Sequence, residues 1–175
     1  MFDFDMLTDE DKARAENTLG VGFRQPDLTI APDGSPYLYR WHVVPRNNEA
    51  NVYFHIQVQS DPDRPLHDHP WDNTSVILSG GYDEVLFIPE STASCGGPRE
   101  YWTRKLRKGD VVHRPATQAH RLILPKDIPY TMTMFTTGPH VREWGFWTPD
   151  GWVHNDKYTE LLPDGRSVVR EEFMK

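Results

Sequence analysis

At 175 residues, 37% of them hydrophobic and 26% charged, the chain can bury one real core, and fibrous or disordered readings fail. A formal net charge of -7 without any Lys/Arg cluster excludes the usual nucleic-acid surface, and no apolar run approaches the ~20 residues that span a bilayer. The start, Met1-Phe2-Asp3-Phe4-Asp5, lacks signal-peptide character, and the lone Cys95, in the turn-like Ser94-Cys95-Gly96-Gly97-Pro98, permits no internal disulfide; cytoplasm is the expected setting.

One helix is predicted, over residues 9 to 19. Thr8-Asp9-Glu10-Asp11 resembles a capping box, with Thr8 as N-cap and Asp11 able to reach back to its backbone N–H, and Gly20 is a natural stop. From Tyr37 the period changes to two, the strand signal. Strands are predicted at 37–44, 51–59, 74–78, 82–88, 101–106, 110–114, 120–124, 130–136 and 142–147, punctuated by glycine and proline turns. Closely spaced strands without intervening helices indicate an all-β sandwich or barrel. The chain thus reads as a single domain over 1–175: a short helix, a barrel over about 37–150, and a polar tail over 152–175 that covers an edge strand or packs on a second subunit.

The chemistry-bearing segment is Pro65-Leu66-His67-Asp68-His69-Pro70-Trp71-Asp72. Residues i and i+2 of a strand share a face, so His67 and His69 project together and Asp68 points away. Two imidazoles on one face can hold one ion if another strand supplies a third ligand. A pair of surface histidines fits this tripeptide equally well.

A second segment, Gly109-Asp110-Val111-Val112-His113-Arg114-Pro115-Ala116-Thr117-Gln118-Ala119-His120, makes the chain resemble the cupin superfamily. Gly109, Pro115 and His120 fall at the spacing of the second cupin motif. His67 and His69 match the start of the first motif, and Gly80 or Gly81 its end. The resemblance covers roughly a third of the chain. It implies a double-stranded β-helix, the cupin or jelly-roll barrel, with His67, His69 and His120 holding one divalent metal. The family's glutamate would fall at Asn73 or Thr74, neither a good ligand, so a three-His site is implied, similar to that of cysteine dioxygenase. Asp72 is a candidate fourth ligand, with turn capping as its ordinary role. Three imidazoles suit Fe(II), Zn, Ni, Cu or Mn, and the dioxygenase likeness puts Fe(II) first. The chain also resembles small bacterial and phage cupin-like proteins through His-Asp-His-Pro-Trp, Ala-His-Arg and Arg-Glu-Trp-Gly-Phe.

Around this constellation, His55 and Gln57 alternate with an apolar face and either line the barrel or face solvent. Tyr82 either offers its hydroxyl near the metal or fills the core. Arg114, Arg121, Arg64 and Arg142 are candidates for holding a substrate carboxylate, Arg121 foremost. Trp71 walls the barrel or forms a substrate shelf. Catalytic roles are therefore assigned to Tyr82 and His55, and substrate binding to Gln57, Arg121 and Trp71. The resulting expectation is a mononuclear non-haem Fe(II) dioxygenase acting on a small polar metabolite. The alternatives are a metal-assisted isomerase, lyase or epimerase, or a non-catalytic small-molecule binder. Neither nucleic acid nor membrane is an expected partner; cupin habit and strand edges that need covering imply a homodimer.

Overall fold

The computed structural model describes residues 1–20, 22, 24–32, 34–62, 64–87, 101–163 and 167–174. Cys95 and Ile88 lie outside the described residues. Helix α1 spans Asp9–Leu19 as predicted; the Thr8 hydroxyl accepts the Asp11 N–H at 3.2 Å, and Gly20 closes the helix at a φ of 68°.

The reciprocal half of the expected capping box is not formed. The Thr8 N–H donates instead to the Tyr130 hydroxyl at 3.2 Å. The buried Asp11 carboxylate accepts from Tyr130 Oη at 2.7 Å and Ser79 Oγ at 2.8 Å. A carboxylate taken out of water needs donors, and two hydroxyls from the sheet beneath outbid one backbone N–H. Asp11 therefore clamps the helix to the barrel. Tyr130→Phe is expected to cost about 1–3 kcal/mol in urea unfolding, because it removes one of the two hydroxyls on the buried Asp11 carboxylate and leaves the Thr8 N–H without its acceptor.

The larger sheet contains β1 (Leu28–Ile30), β2 (Leu38–His42), β3 (Asn51–Gln57), β4 (Asn73–Ser79), β7 (Val111–Arg114) and β9 (Thr131–Thr137), in the order β1-β2-β3-β9-β4-β7. The smaller sheet runs β6 (Trp102–Arg107), β5 (Gly81–Phe87), β8 (Ala119–Ile123). His67 extends it by bridging both His120 and Phe146, the latter on β10 (Gly145–Thr148). Every strand pairing among the described residues is antiparallel. Along the chain, β3, β4, β7 and β9 fall in one sheet while the His67 segment, β5, β6 and β8 fall in the other. That alternation is the double-stranded jelly-roll barrel expected from the sequence.

The alternation in β3 is read by both sides of its sheet. Phe54 and Ile56 pack outward with Trp41, Met132, Tyr130, Ala15, Leu7 and Phe2, under helix α1. His55 and Gln57, buried on the other face, line the barrel interior. The largest apolar cluster thus lies between the larger sheet and the N-terminal segment, a second one (Ile77, Tyr82, Leu106, Val112) joins the two sheets, and the lumen beside it mixes apolar walls with buried polar side chains. At about 1.5–3 kcal/mol for each large apolar side chain, this outer layer supplies much of the fold's stability.

Predicted strands match observed ones to within a few residues, since pairing partners rather than local preference set strand ends. Several elements lack a sequence signal. These are β1 and, in the tail, β11 (Gly151–His154), the short α2 (Asn155–Tyr158), β12 (Thr159–Leu161) and β13 (Ser167–Val169). The tail folds back on the barrel: the Tyr158 ring stacks on Phe146 at 4.3 Å and meets Phe173 at 4.9 Å.

Candidate metal centre

Residues 66 to 69 cross between β8 and β10 as a single-bridge segment. His67 and His120 exchange backbone hydrogen bonds, at 3.1 Å and 2.9 Å, so these two side chains stand side by side from facing chains. Asp68 points the other way, as the period of two requires, and is fully buried. It accepts from the Gly145 N–H at 2.8 Å and from the indoles of Trp147 and Trp152 at 3.1 and 2.9 Å. It also pairs with Arg142 at 2.7 Å. Fixing Asp68 from four directions fixes the backbone that carries His67 and His69.

The three rings converge. The ligating atoms of His67, His69 and His120 lie within 4.8 Å of one another. Ring centroids are 5.0 to 5.1 Å apart, and the Nε2 atoms of His69 and His120 face each other at 2.8 Å. Burial pushes all three imidazoles below their ordinary range, His120 to about 4, although Glu84 opposes the shift there. They are therefore neutral at physiological pH, the form that ligates metal.

Glu84, fully buried on β5, explains how His120 is aimed. Its Oε1 accepts from His120 Nδ1 and Arg114 Nε, each at 2.6 Å, and its Oε2 accepts from Arg104 Nε at 2.6 Å. Burial pushes the Glu84 carboxyl up, but the His120 hydrogen bond and the Arg114 charge outweigh it and hold the group well below the usual carboxylate range. An ionised carboxylate only accepts, so His120 Nδ1 carries the proton and Nε2 is left as a bare lone pair aimed at the cluster. Three neutral, convergent imidazoles, one oriented by a carboxylate behind it, form a donor set that fits a divalent transition metal.

Two cavities meet at this cluster. An inner one of about 90 Å³ lies inside the barrel, where all three histidines line it. An outer one of about 210 Å³ opens beside His67 and is lined by Arg121, Arg64 and the tail. Tyr37, Asp61 and His67 belong to both. Of the residues singled out in the sequence, His55, Gln57, Tyr82 and Trp71 line the inner cavity and Arg121 the outer one. Trp71 stacks on His69 at 4.7 Å, and the Tyr82 hydroxyl accepts from Arg114 Nη2 at 3.4 Å.

Asp72 is a correction. It is exposed, stands outside the histidine cluster, and its Oδ1 accepts the Ala116 N–H at 2.7 Å. The bulge that would have turned it inward is absent because β4 begins at once with Asn73, whose buried side chain faces Arg114 at 3.3 Å. Asp72 caps a turn.

Sequence reasoning missed Glu84, Asp61 and Arg40. Glu84 was detectable: it sits between Tyr82 and Leu86 at strand spacing, so an inward Tyr82 carries Glu84 inward with it. Arg40 likewise shares the inner face of β2 with Leu38 and lies opposite His55 in the register.

The neutral state of the interior has a measurable consequence at His55. Burial, helped by the Arg40 charge, pushes its imidazole well below 6.5, so the unfolded chain binds the proton that the folded one refuses. Stability must then rise with pH across this range and be lost as pH falls below 6.5. Between pH 7.5 and 5, one such imidazole contributes up to about 2 kcal/mol of loss. Urea unfolding of metal-free protein at the two pH values is expected to show a smaller drop in His55→Gln than in wild type.

No protein-family model and no curated protein sequence matches the chain. Solved structures with a similar arrangement of strands include Fe(II) HppE, at 14% identity over 76% of this chain and 77% of that one, with a TM-score of 0.49. Another is the DMSP lyase DddQ from Ruegeria pomeroyi, at 16% identity over 70% of this chain and 57% of that one, TM-score 0.48. A third is a cupin superfamily protein from Desulfitobacterium hafniense, at 10% identity over 69% and 86%, TM-score 0.43. These likenesses concern strand arrangement alone, and none brings an activity to this chain.

Proposed function

We propose that this cupin-type barrel is a metal-dependent enzyme acting on a small polar metabolite, with His67, His69 and His120 as the protein ligands of a single divalent ion. The observation that carries the reading is the convergence of three neutral imidazole nitrogens beside two cavities. Three protein ligands leave coordination positions open, and an ion held this way supplies Lewis-acid chemistry or, as iron, redox chemistry. The chain's own contributions are these: Glu84 holds His120 in its ligating tautomer, Trp71 stacked on His69 shields the ring from water, and the polar side chains of the lumen position substrate.

Fe(II) and oxygen-dependent turnover are the first form of the proposal, because a three-His sphere with open sites accommodates substrate and oxygen together. Protein purified without a His tag is expected to retain one divalent ion per chain by elemental analysis, and His120→Ala to lose it. Iron-restored protein is expected to consume oxygen with at least one member of a broad metabolite panel. No oxygen consumption and no nitric oxide binding would refute the dioxygenase form.

One observation favours a second form, lyase or isomerase chemistry without oxygen. Asp61 lines both cavities beside His67, with Oδ2 held by the Leu122 N–H at 2.8 Å, and a carboxylate there is placed to carry a proton to or from substrate. Turnover under anaerobic conditions with Zn(II) or Mn(II) selects this form over the first.

A further inference from the structure

The arginines around the barrel differ in one respect. Arg114 and Arg104 share Glu84, and Arg142 is paired with Asp68. Arg64 and Arg121 donate to backbone carbonyls at the outer cavity. Arg40 lines the inner cavity with the three histidines, and no carboxylate pairs with it among the described residues. Its Nε donates to the neutral His55 Nε2 at 2.8 Å, and its guanidinium lies over the Tyr53 ring at 4.6 Å. His55 in turn stacks between Tyr53 and Phe135, with ring centroids 5.9 and 5.2 Å away.

Those contacts hold the plane of the guanidinium without neutralising it. A guanidinium stays charged in a protein, and leaving a partly buried one without an anion is costly. Both Nη atoms remain as donors, in the planar fork that matches a carboxylate. A phosphate would present more oxygens than this single fork satisfies. The inner cavity, at about 90 Å³, has room for about three waters at liquid density, or the head of a small organic acid.

Resting on the metal-site reading above, we infer that Arg40 is the anion anchor of the barrel: it takes the carboxylate of a small organic acid whose remainder lies against His67, His69 and His120. His55 and Tyr53 are positioning residues that present the fork. Arg121, expected from the sequence to do this, belongs to the outer cavity.

Metal-free and Zn(II)-loaded full-length protein are titrated by calorimetry with acetate, propionate and pyruvate, with acetamide and inorganic phosphate as controls. At least one carboxylate is expected to bind saturably to wild type, more tightly than acetamide or phosphate. Arg40→Met is expected to weaken that binding at least about tenfold, and Arg40→Lys, which keeps the charge but not the fork, several-fold. Circular dichroism checks that both variants fold, and a pyruvate-soaked crystal of wild type supplies a readout independent of them, with the carboxylate at the Arg40 Nη atoms. Equal binding to wild type and variants, no carboxylate binding at all, tighter phosphate binding, or pyruvate seated elsewhere would each overturn the inference. If Zn(II) is retained and no acid depends on Arg40, this inference fails and the metal site stands. If wild type fails to retain Zn(II) on loading while Arg40-dependent binding persists, the metal site fails and the anchor stands.

Discussion

Glu84→Gln is expected to lower stability by about 3–5 kcal/mol and to weaken metal binding about 10- to 100-fold. The two effects have one cause. Glu84 is fully buried and receives three hydrogen bonds of 2.6 Å, from His120, Arg114 and Arg104. An amide of the same shape keeps one accepting oxygen but turns an NH₂ group toward a donor, so at least one of the three must let go. The buried Arg114 loses its counter-charge while still held by Ser75 at 2.8 Å and Tyr82 at 3.4 Å. His120 faces a neutral amide in place of the charge that fixes its proton on Nδ1. Chemical denaturation of metal-free protein reads the first effect, and competition with a chelator the second. A variant as stable as wild type with unchanged affinity would show that the carboxylate does not aim the ligand. The comparison with His120→Ala is informative, since Glu84→Gln should still saturate with metal at high concentration and the ligand deletion should not.

The second large effect is expected at Asp68. Asp68→Asn is expected to cost about 3–5 kcal/mol, to shift tryptophan fluorescence, and to lower metal affinity without removing any ligand. The wild-type carboxylate has two oxygens that only accept, and every neighbour donates: the Gly145 N–H, two indoles and Arg142. Asn presents an NH₂ where an acceptor is required. Because His67 and His69 flank this residue, relaxation of the knot moves two ligands at once. Arg142→Met, which removes one of the donors from a partly exposed position, is a milder control. Equal stability of Asp68→Asn and wild type in thermal unfolding would contradict this account.

The contrast between these two carboxylates bears on what can be read from sequence. His67, His69 and His120 were legible because motif spacing encodes them, and Asp68 was correctly placed behind them by the period of two. Spacing from Tyr82 could place Glu84 on the inner face, but its pairing with His120 reaches across the smaller sheet, and register between strands is not written in either strand alone. The apolar face of β3 was legible too, but which side of the sheet it served was not. Helix α1, read only as a short helix ahead of the barrel, covers the principal apolar cluster, so the polar face of β3 became the interior. Asp11 failed as a capping residue for the same reason: its local partner was predictable, and its distant partners on Tyr130 and Ser79 were not. The tail lacked periodicity because its strands are short, β11 held by pairing with β10 and β12 by pairing with β13, while the Tyr158 ring docks on Phe146.

Placing the greasy packing behind the larger sheet has a consequence for how such a protein changes over generations. If the lumen binds substrate as proposed, folding and recognition use opposite faces of the same strands, so lumen positions such as Gln57 and Thr133 can change without thinning the layer beneath α1. Redecorating that lumen, with the three imidazoles and Glu84 left in place, is the route by which this scaffold would acquire a new preference while remaining folded.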